Sequence, residues 1–381
     1  MHVLTLIPCY PSGSDDADGC FVSEPLDRLA KTGVRNTVLA VRPIYERKAR
    51  AGGTELPAER LRYFSLPGKL WLPAAGAFVF ARIVGRVREL HRTQRIDVVH
   101  THGPLPCGHA GMLVSAELSI PYVVSVHGLE DFSTSHASAR AEKWCGRIAR
   151  RVFAGSRRVV CGSERIREAV LETMGRSCRT SVVYNGVDPE LFSPAPESSE
   201  TGLTVLSAGN LVEIEGHDVL IRATAALVKE FPALSLEIIG DGPERSSLQN
   251  LVVTLGLQGV VHFLGRQSRV QIAGLMKRCT LFALPSRSEQ VERMHLGAMS
   301  SGKAVIGCRG EGIAEIIRHG INGFLVGAEN EKELTLAMGM LLREPQRRRS
   351  LGVAARDIIL DRFTVEQQAQ NLRRIYREVA A

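Results

Sequence analysis

Short apolar runs of four to six residues alternate with helix-period windows along this chain, in two series separated by one break in composition. His2 to Ile7 is apolar without interruption. It is followed by a Gly-, Ser- and Asp-bearing loop to Gly19 and a helical window from Phe21 to Lys31 that Gly33 closes. Further strands are expected at Thr37 to Val41, Asp97 to His100, Tyr122 to Val126, Arg158 to Cys161 and Ser181 to Tyr184, with helical windows between them. Strands that are apolar at nearly every position are buried on both faces, and strands joined through helices pair in parallel. The expected fold class is therefore α/β, with doubly wound, Rossmann-like sheets.

The stretch Pro194-Ala195-Pro196-Glu197-Ser198-Ser199-Glu200-Thr201-Gly202 has no periodicity and reads as a linker. A second series restarts with strands at Leu203 to Ala208, Leu234 to Ile239, Val260 to Phe263, Leu281 to Leu284 and Ala304 to Gly307, again alternating with helices. A length of 381 residues, 44% of them hydrophobic, suffices for two full cores. The expected domains are 1–194 and 203–362, facing each other across a cleft. An amphipathic segment at 363–381, with no strand after it, is expected to pack back toward the first domain.

Composition narrows the chemistry. The net charge of +8 is spread over both halves, which argues against a nucleic-acid-binding block. The eight cysteines show neither C-x-x-C pairs nor zinc-like spacing, as expected for reduced thiols. Met1 to Ile7 is too short for a signal peptide, and no apolar run reaches the ~20 residues of a membrane span, so a cytoplasmic location is expected. Asp16-Ala17-Asp18 reads as a solvated loop rather than a metal site, and His100, His102 and His109 lack a carboxylate at ligand spacing. Residues 70–92 and 140–158 carry Trp and Phe beside many Arg. Each reads either as a core-facing helix with a basic edge or as a surface that meets the inner face of a membrane.

Ligands of open α/β sheets lie at the carboxyl ends of strands, so the loops there hold the candidate site residues. In the first half these are the loop ending at Gly19, His102, and His127-Gly128 with Asp131 shortly after a buried strand. Asn185 in Asn185-Gly186-Val187-Asp188 follows. In the second half they are Gly209-Asn210, Gly240 in Gly240-Asp241-Gly242-Pro243, and Arg266 after Phe263-Leu264-Gly265. Arg287 and Glu289 in Pro285-Ser286-Arg287-Ser288-Glu289 then lead into Gln290, Val291, Glu292 and Arg293 at the start of a helix. Single glycine patterns are weak signals, but the order and spacing of these are specific. Together with Ala298-Met299-Ser300-Ser301-Gly302, Gly312-Ile313-Ala314-Glu315-Ile316-Ile317 and Asn322-Gly323-Phe324-Leu325-Val326, the set resembles the family-4 retaining glycosyltransferases of the GT-B fold along essentially the whole chain.

The resemblance implies that the second domain holds a nucleotide-diphosphate sugar and the first a glycan or lipid-linked acceptor, in cell-envelope or exopolysaccharide synthesis. It gives Glu289 the donor-sugar hydroxyls and His127 a catalytic position opposite. Neither metal nor cofactor is expected, because backbone amides and cations neutralise the leaving diphosphate. The chain departs from the family pattern at four points. Gly297 stands eight residues after Glu289 where a ribose-binding glutamate is expected, Asn210 replaces an arginine, Glu215 replaces a lysine, and Glu292 replaces a glycine. Two readings stay open: a retaining glycosyltransferase, or a catalytically silent GT-B protein that binds a partner enzyme or a glycan.

Overall fold

The computed structural model describes all residues except 9, 12–18, 46–56, 66–70, 129–138, 175–177, 196–201, 288–291 and 311. Backbone proximity divides the chain into two units, Met1–Tyr184 with Val365–Ala381, and Asn185–Thr364. The first contains strands β1 (His2–Ile7), β2 (Arg35–Pro43), β3 (Glu59–Tyr63), β4 (Val98–His102), β5 (Tyr122–Val126), β6 (Arg158–Cys161) and β7 (Thr180–Val182). Its helices are α1 (Cys20–Lys31), α2 (Leu72–Thr93), α3 (His109–Leu118), α4 (Ala139–Gly155) and α5 (Glu164–Met174). All neighbouring strands run parallel, in the order β3-β2-β1-β4-β5-β6-β7.

The continuous apolar runs of the sequence are explained by burial on both faces of this sheet. In β1, Leu4 and Leu6 enter one core with Val79 and Ile83 of α2, while Val3 and Ile7 enter another with Leu29 of α1. β2 repeats the alternation, with Leu39 and Val41 on the first side and Val38 and Ala40 on the second. The second core is completed by the end of the chain. Helix α12 (Val365–Ala380) places Ala369, Leu372, Ile375 and Tyr376 among these residues, a spacing that lines one face of a helix. Ion pairs from Arg28 to Glu366 and from Arg158 to Glu378 flank the contact.

The second unit contains β8 (Leu203–Ala208), β9 (Leu234–Ile239), β10 (Val261–Gly265), β11 (Leu281–Ala283), β12 (Val305–Cys308) and β13 (Phe324–Val326). They form a parallel sheet in the order β10-β9-β8-β11-β12-β13. Helices α6 (His217–Leu227), α7 (Arg245–Thr254), α8 (Arg269–Arg278), α9 (Glu292–Ser300), α10 (Glu331–Arg343) and α11 (Pro345–Arg362) accompany it. A capping box of Ser268 and Gln271 starts α8, each side chain bonding the other's backbone N–H.

The sequence reading ended the first domain at residue 194, whereas the stretch from Asn185 to Pro194 packs with the second unit. The Phe192 carbonyl accepts a 2.7 Å bond from Ser300 Oγ, and the Val187 N–H donates to Phe363 O. Among the described residues no helix is long and apolar enough to cross a membrane.

Candidate functional site

Each sheet reverses its direction of growth once, between β1 and β4 in the first unit and between β8 and β11 in the second. The crevice at the carboxyl end of such a reversal is where ligands of these folds sit.

In the first unit β4 delivers two histidines to one face of the sheet, because His100 and His102 are two residues apart on a strand. Register sets His102 level with Ser125 of β5, and His127 follows just past the end of β5 on the same side. His102 Nδ1 and His127 Nε2 are 2.7 Å apart. Their rings are parallel within 5° with centroids 5.0 Å apart, as side-by-side rings joined through their nitrogens should be. Phe21 of α1 meets the His127 ring edge-on at 4.6 Å.

Behind this pair, His100 Nδ1 lies 2.6 Å from Tyr376 Oη and its Nε2 2.7 Å from Ser125 Oγ. One nitrogen donates and the other accepts, which is what a neutral imidazole offers. Burial, and then the neighbouring His127, pull the His100 pKa down to about 3. Burial first, then His100 and His127, also hold His102 well below the usual histidine range. Among the described residues His102 Nε2 is buried without a partner. An orphaned lone pair is tolerated better than an orphaned N–H, so the proton of His102 belongs on Nδ1. His127 Nε2 then accepts it.

In the second unit three strand-end loops converge backbone to backbone. Gly240 after β9 has φ 137°, and a Cβ there would stand 1.8 Å from the Gly209 carbonyl after β8. Gly216 has φ 69°, and a Cβ would stand 2.6 Å from the Pro285 carbonyl after β11. Only glycine permits both approaches. The short turn Glu213–Glu215 is thereby pressed between β8 and β11, and Glu215 is 6% exposed. Its carboxyl lies against Gly209 with Ser286 Oγ, which donates to Ile214 O at 3.5 Å, within hydrogen-bonding reach, while among the described residues Oε2 is buried without a partner. Burial pushes this carboxyl up to about 7, and the Ser286 bond opposes the shift.

The predicted site residues fall unevenly on this geometry. His102 and His127 meet, with Gly128 buried beside them. Gly19 caps α1 with φ 81°. Asn185 opens the second unit. Gly209, Asn210 and Gly240 line the β8 and β9 ends. Arg287 spans the loops, with its N–H on Ile214 O, its guanidinium on Glu213 O at 2.8 Å, and an ion pair to Glu329. Arg266 follows the edge strand β10, two strands from the β8–β11 reversal, and Arg293 lies in the first turn of α9. Arg309, after β12, is engaged by Leu325 O and Glu333. Asp131, Glu289, Gln290 and Val291, and the side chain of Glu292, lie outside the described residues.

Gly297 departs from the family pattern in space as well as in sequence. A Cβ there would stand 3.0 Å from Met276 Sδ and 3.1 Å from the Phe192 ring, so a side chain at this position requires these neighbours to give by a few tenths of an ångström. Sequence reading also missed Ser286, Ser125, Phe21 and Tyr376. Strand parity could have found Ser125, but nothing in the sequence ties His100 to a tyrosine 276 residues away.

Comparison with known proteins assigns both halves. Residues 22–191 match the family described as Glycosyltransferase Family 4, and residues 189–358 match Glycosyl transferases group 1. The chain belongs to this glycosyltransferase family. An uncharacterized glycosyltransferase of Methanocaldococcus jannaschii is 29% identical over 294 residues, covering 77% of this glycosyltransferase and 78% of that protein. The D-inositol 3-phosphate glycosyltransferase of a Nocardioides species is 28% identical over 420 residues, covering 98% and 88%. Among solved structures, Anabaena HepE in complex with UDP aligns with a TM-score of 0.75 at 21% identity, over 99% of this chain and 100% of that one. Sucrose-phosphate synthase of Thermosynechococcus elongatus aligns with a TM-score of 0.77 at 19% identity, over 99% of both chains. These likenesses establish the GT-B fold for this glycosyltransferase.

Proposed function

We propose that the protein transfers a sugar from a nucleotide-diphosphate donor to a glycan or lipid-linked acceptor, with retention of anomeric configuration. What carries this reading is the glycine-lined crevice at the β8–β11 reversal, where the loops after β8, β9 and β11 bring backbone groups together in a chain of glycosyltransferase family. Crystals of HepE hold UDP and UDP-glucose, which supports a nucleotide sugar as the donor class.

In this reading the second unit binds the diphosphate and Glu289 takes the donor-sugar hydroxyls. His127 meets the substrate, and His102 fixes the plane of its ring through the 2.7 Å contact. The departing phosphate deprotonates the acceptor, so no separate protein base is assigned. No metal or cofactor is assigned a role, and the acceptor is placed in envelope or exopolysaccharide synthesis at the inner membrane face.

A second reading has its own observation. With Gly297 walled by Phe192 and Met276 and a carboxyl at the lysine position, two donor contacts are gone, as in a silent GT-B protein that binds a partner enzyme or a glycan. Calorimetric titration with UDP-, GDP- and ADP-sugars, followed by a transfer assay with radiolabelled donor, separates the two. Binding and transfer support the enzyme; a folded protein that binds none of them at millimolar concentration overturns it.

A further inference from the structure

We propose that Glu215 contacts the donor diphosphate as a neutral acid: its carboxyl takes up one proton as the nucleotide sugar binds and donates that O–H to a phosphate oxygen. This rests on the donor reading above and names a contact that the departure from lysine would otherwise leave unexplained.

The geometry supplies the argument. Glu215 sits between the ends of β8 and β11, the reversal that defines the crevice. Ser286 Oγ lies within hydrogen-bonding reach of the carboxyl and donates to Ile214 O at 3.5 Å, and among the described residues Oε2 is buried with neither donor nor acceptor. A buried ionised carboxylate with one hydrogen bond and no cation is strongly disfavoured. A protonated one needs an acceptor for its O–H, and phosphate oxygens are strong acceptors.

Among the described residues the surrounding groups form no ion pair with the carboxyl. On its own segment stand Glu213, Asp218 and His217, the last pulled down to about 4 by burial against the opposing influence of the Asn210 backbone and Asp218. After β9, Asp241 pairs with Arg245 at 3.6 Å. After β11, Arg287 is committed to Glu329 and to Glu213 O. Among the described residues none of these forms an ion pair with Glu215. Burial pushes the carboxyl up to about 7, so the proton is available under ordinary conditions and is lost in mild alkali.

No covalent step is involved. One proton moves from solvent to the carboxylate, and one acid-to-phosphate hydrogen bond forms. An ionised Glu215 would instead repel the diphosphate, as like charges in a desolvated site do.

The test is calorimetric titration of the full-length protein with UDP-glucose and GDP-mannose from about pH 5.5 to about pH 8.5, in buffers of different ionisation enthalpy. These diphosphates do not titrate in that range. The expected result is an affinity that falls about tenfold per pH unit above about 7, with about one proton taken up per nucleotide at pH ~8. Glu215→Gln should bind with no proton uptake and no such slope, because its amide imitates the protonated acid. Glu215→Lys should bind more tightly than the native protein at pH ~8, again without uptake. Binding by the native protein without proton uptake, or a slope unchanged in Glu215→Gln, overturns the proposal alone. Binding of neither probe, nor of an ADP-sugar, at any pH overturns the donor reading and the proposal with it.

Discussion

Single residues carry the chemistry, and three of them make distinct predictions. The folded state holds the Glu215 proton more tightly than an unfolded chain does, with the carboxyl at about 7 instead of 4.5. Its contribution to stability is therefore complete below about pH 4.5 and is lost as pH rises to about 7. Glu215→Gln lacks this dependence, so its stability relative to the native protein should rise by about 3 kcal/mol between pH ~4 and pH ~8. Urea denaturation at the two pH values measures this, and a constant difference would refute it. At Gly297 the restored family residue should fail. Gly297→Glu must displace Met276 or Phe192, lowering stability by about 1–3 kcal/mol in chemical denaturation without improving nucleotide affinity. For His102, loss of the 2.7 Å contact frees the His127 ring. In the enzyme reading His102→Leu should cut kcat about 100-fold with KM for donor less affected.

Among the elements, α12 packs on the first unit, as its amphipathic pattern without a following strand suggests. It belongs by sequence to the end of the second series, yet it completes the core under β1 and sends Tyr376 to the histidine row. Tyr376→Phe leaves His100 Nδ1 buried without its partner, and should cost about 1–3 kcal/mol in urea denaturation. The basic edge of α2 illustrates a different use of an element. Arg86 is paired with Glu59 and Glu89, and Arg88 with Glu117, so these cations stabilise contacts to β3 and α3. On α4, in contrast, Trp144 is 54% exposed. Strand β3 escaped sequence reading because Glu59-Arg60-Leu61-Arg62-Tyr63 is a short, charged edge strand, without the apolar run that marks the interior ones.

For the whole molecule, chain order and folding unit do not coincide. Asn185–Thr364 is one continuous segment with its own core, whereas the first unit needs both ends of the chain. Expressed alone, residues 185–364 should unfold cooperatively. Residues 1–184 should show exposed apolar surface by dye binding until 365–381 is joined to them, because Val3, Ile7 and Leu29 lose the cover of Leu372, Ile375 and Tyr376. A stable, non-aggregating 1–184 fragment would contradict that assignment.

Periodicity is local, and so the sequence by itself determined the two α/β halves and the strand-end loops, and the order of short motifs along the chain carried the family resemblance. It also marked Glu215 and Gly297 as departures, since a residue type out of place can be read from its neighbours along the chain. Tertiary structure decided what those departures mean. That Gly297 faces Phe192 and Met276, that Glu215 lies buried beside Ser286, and that His100 rests on Tyr376 are contacts between segments distant in sequence. Burial and the pairing of polar groups depend on such contacts, and they set whether a carboxyl at the heart of the crevice is a repelling charge or a neutral acid.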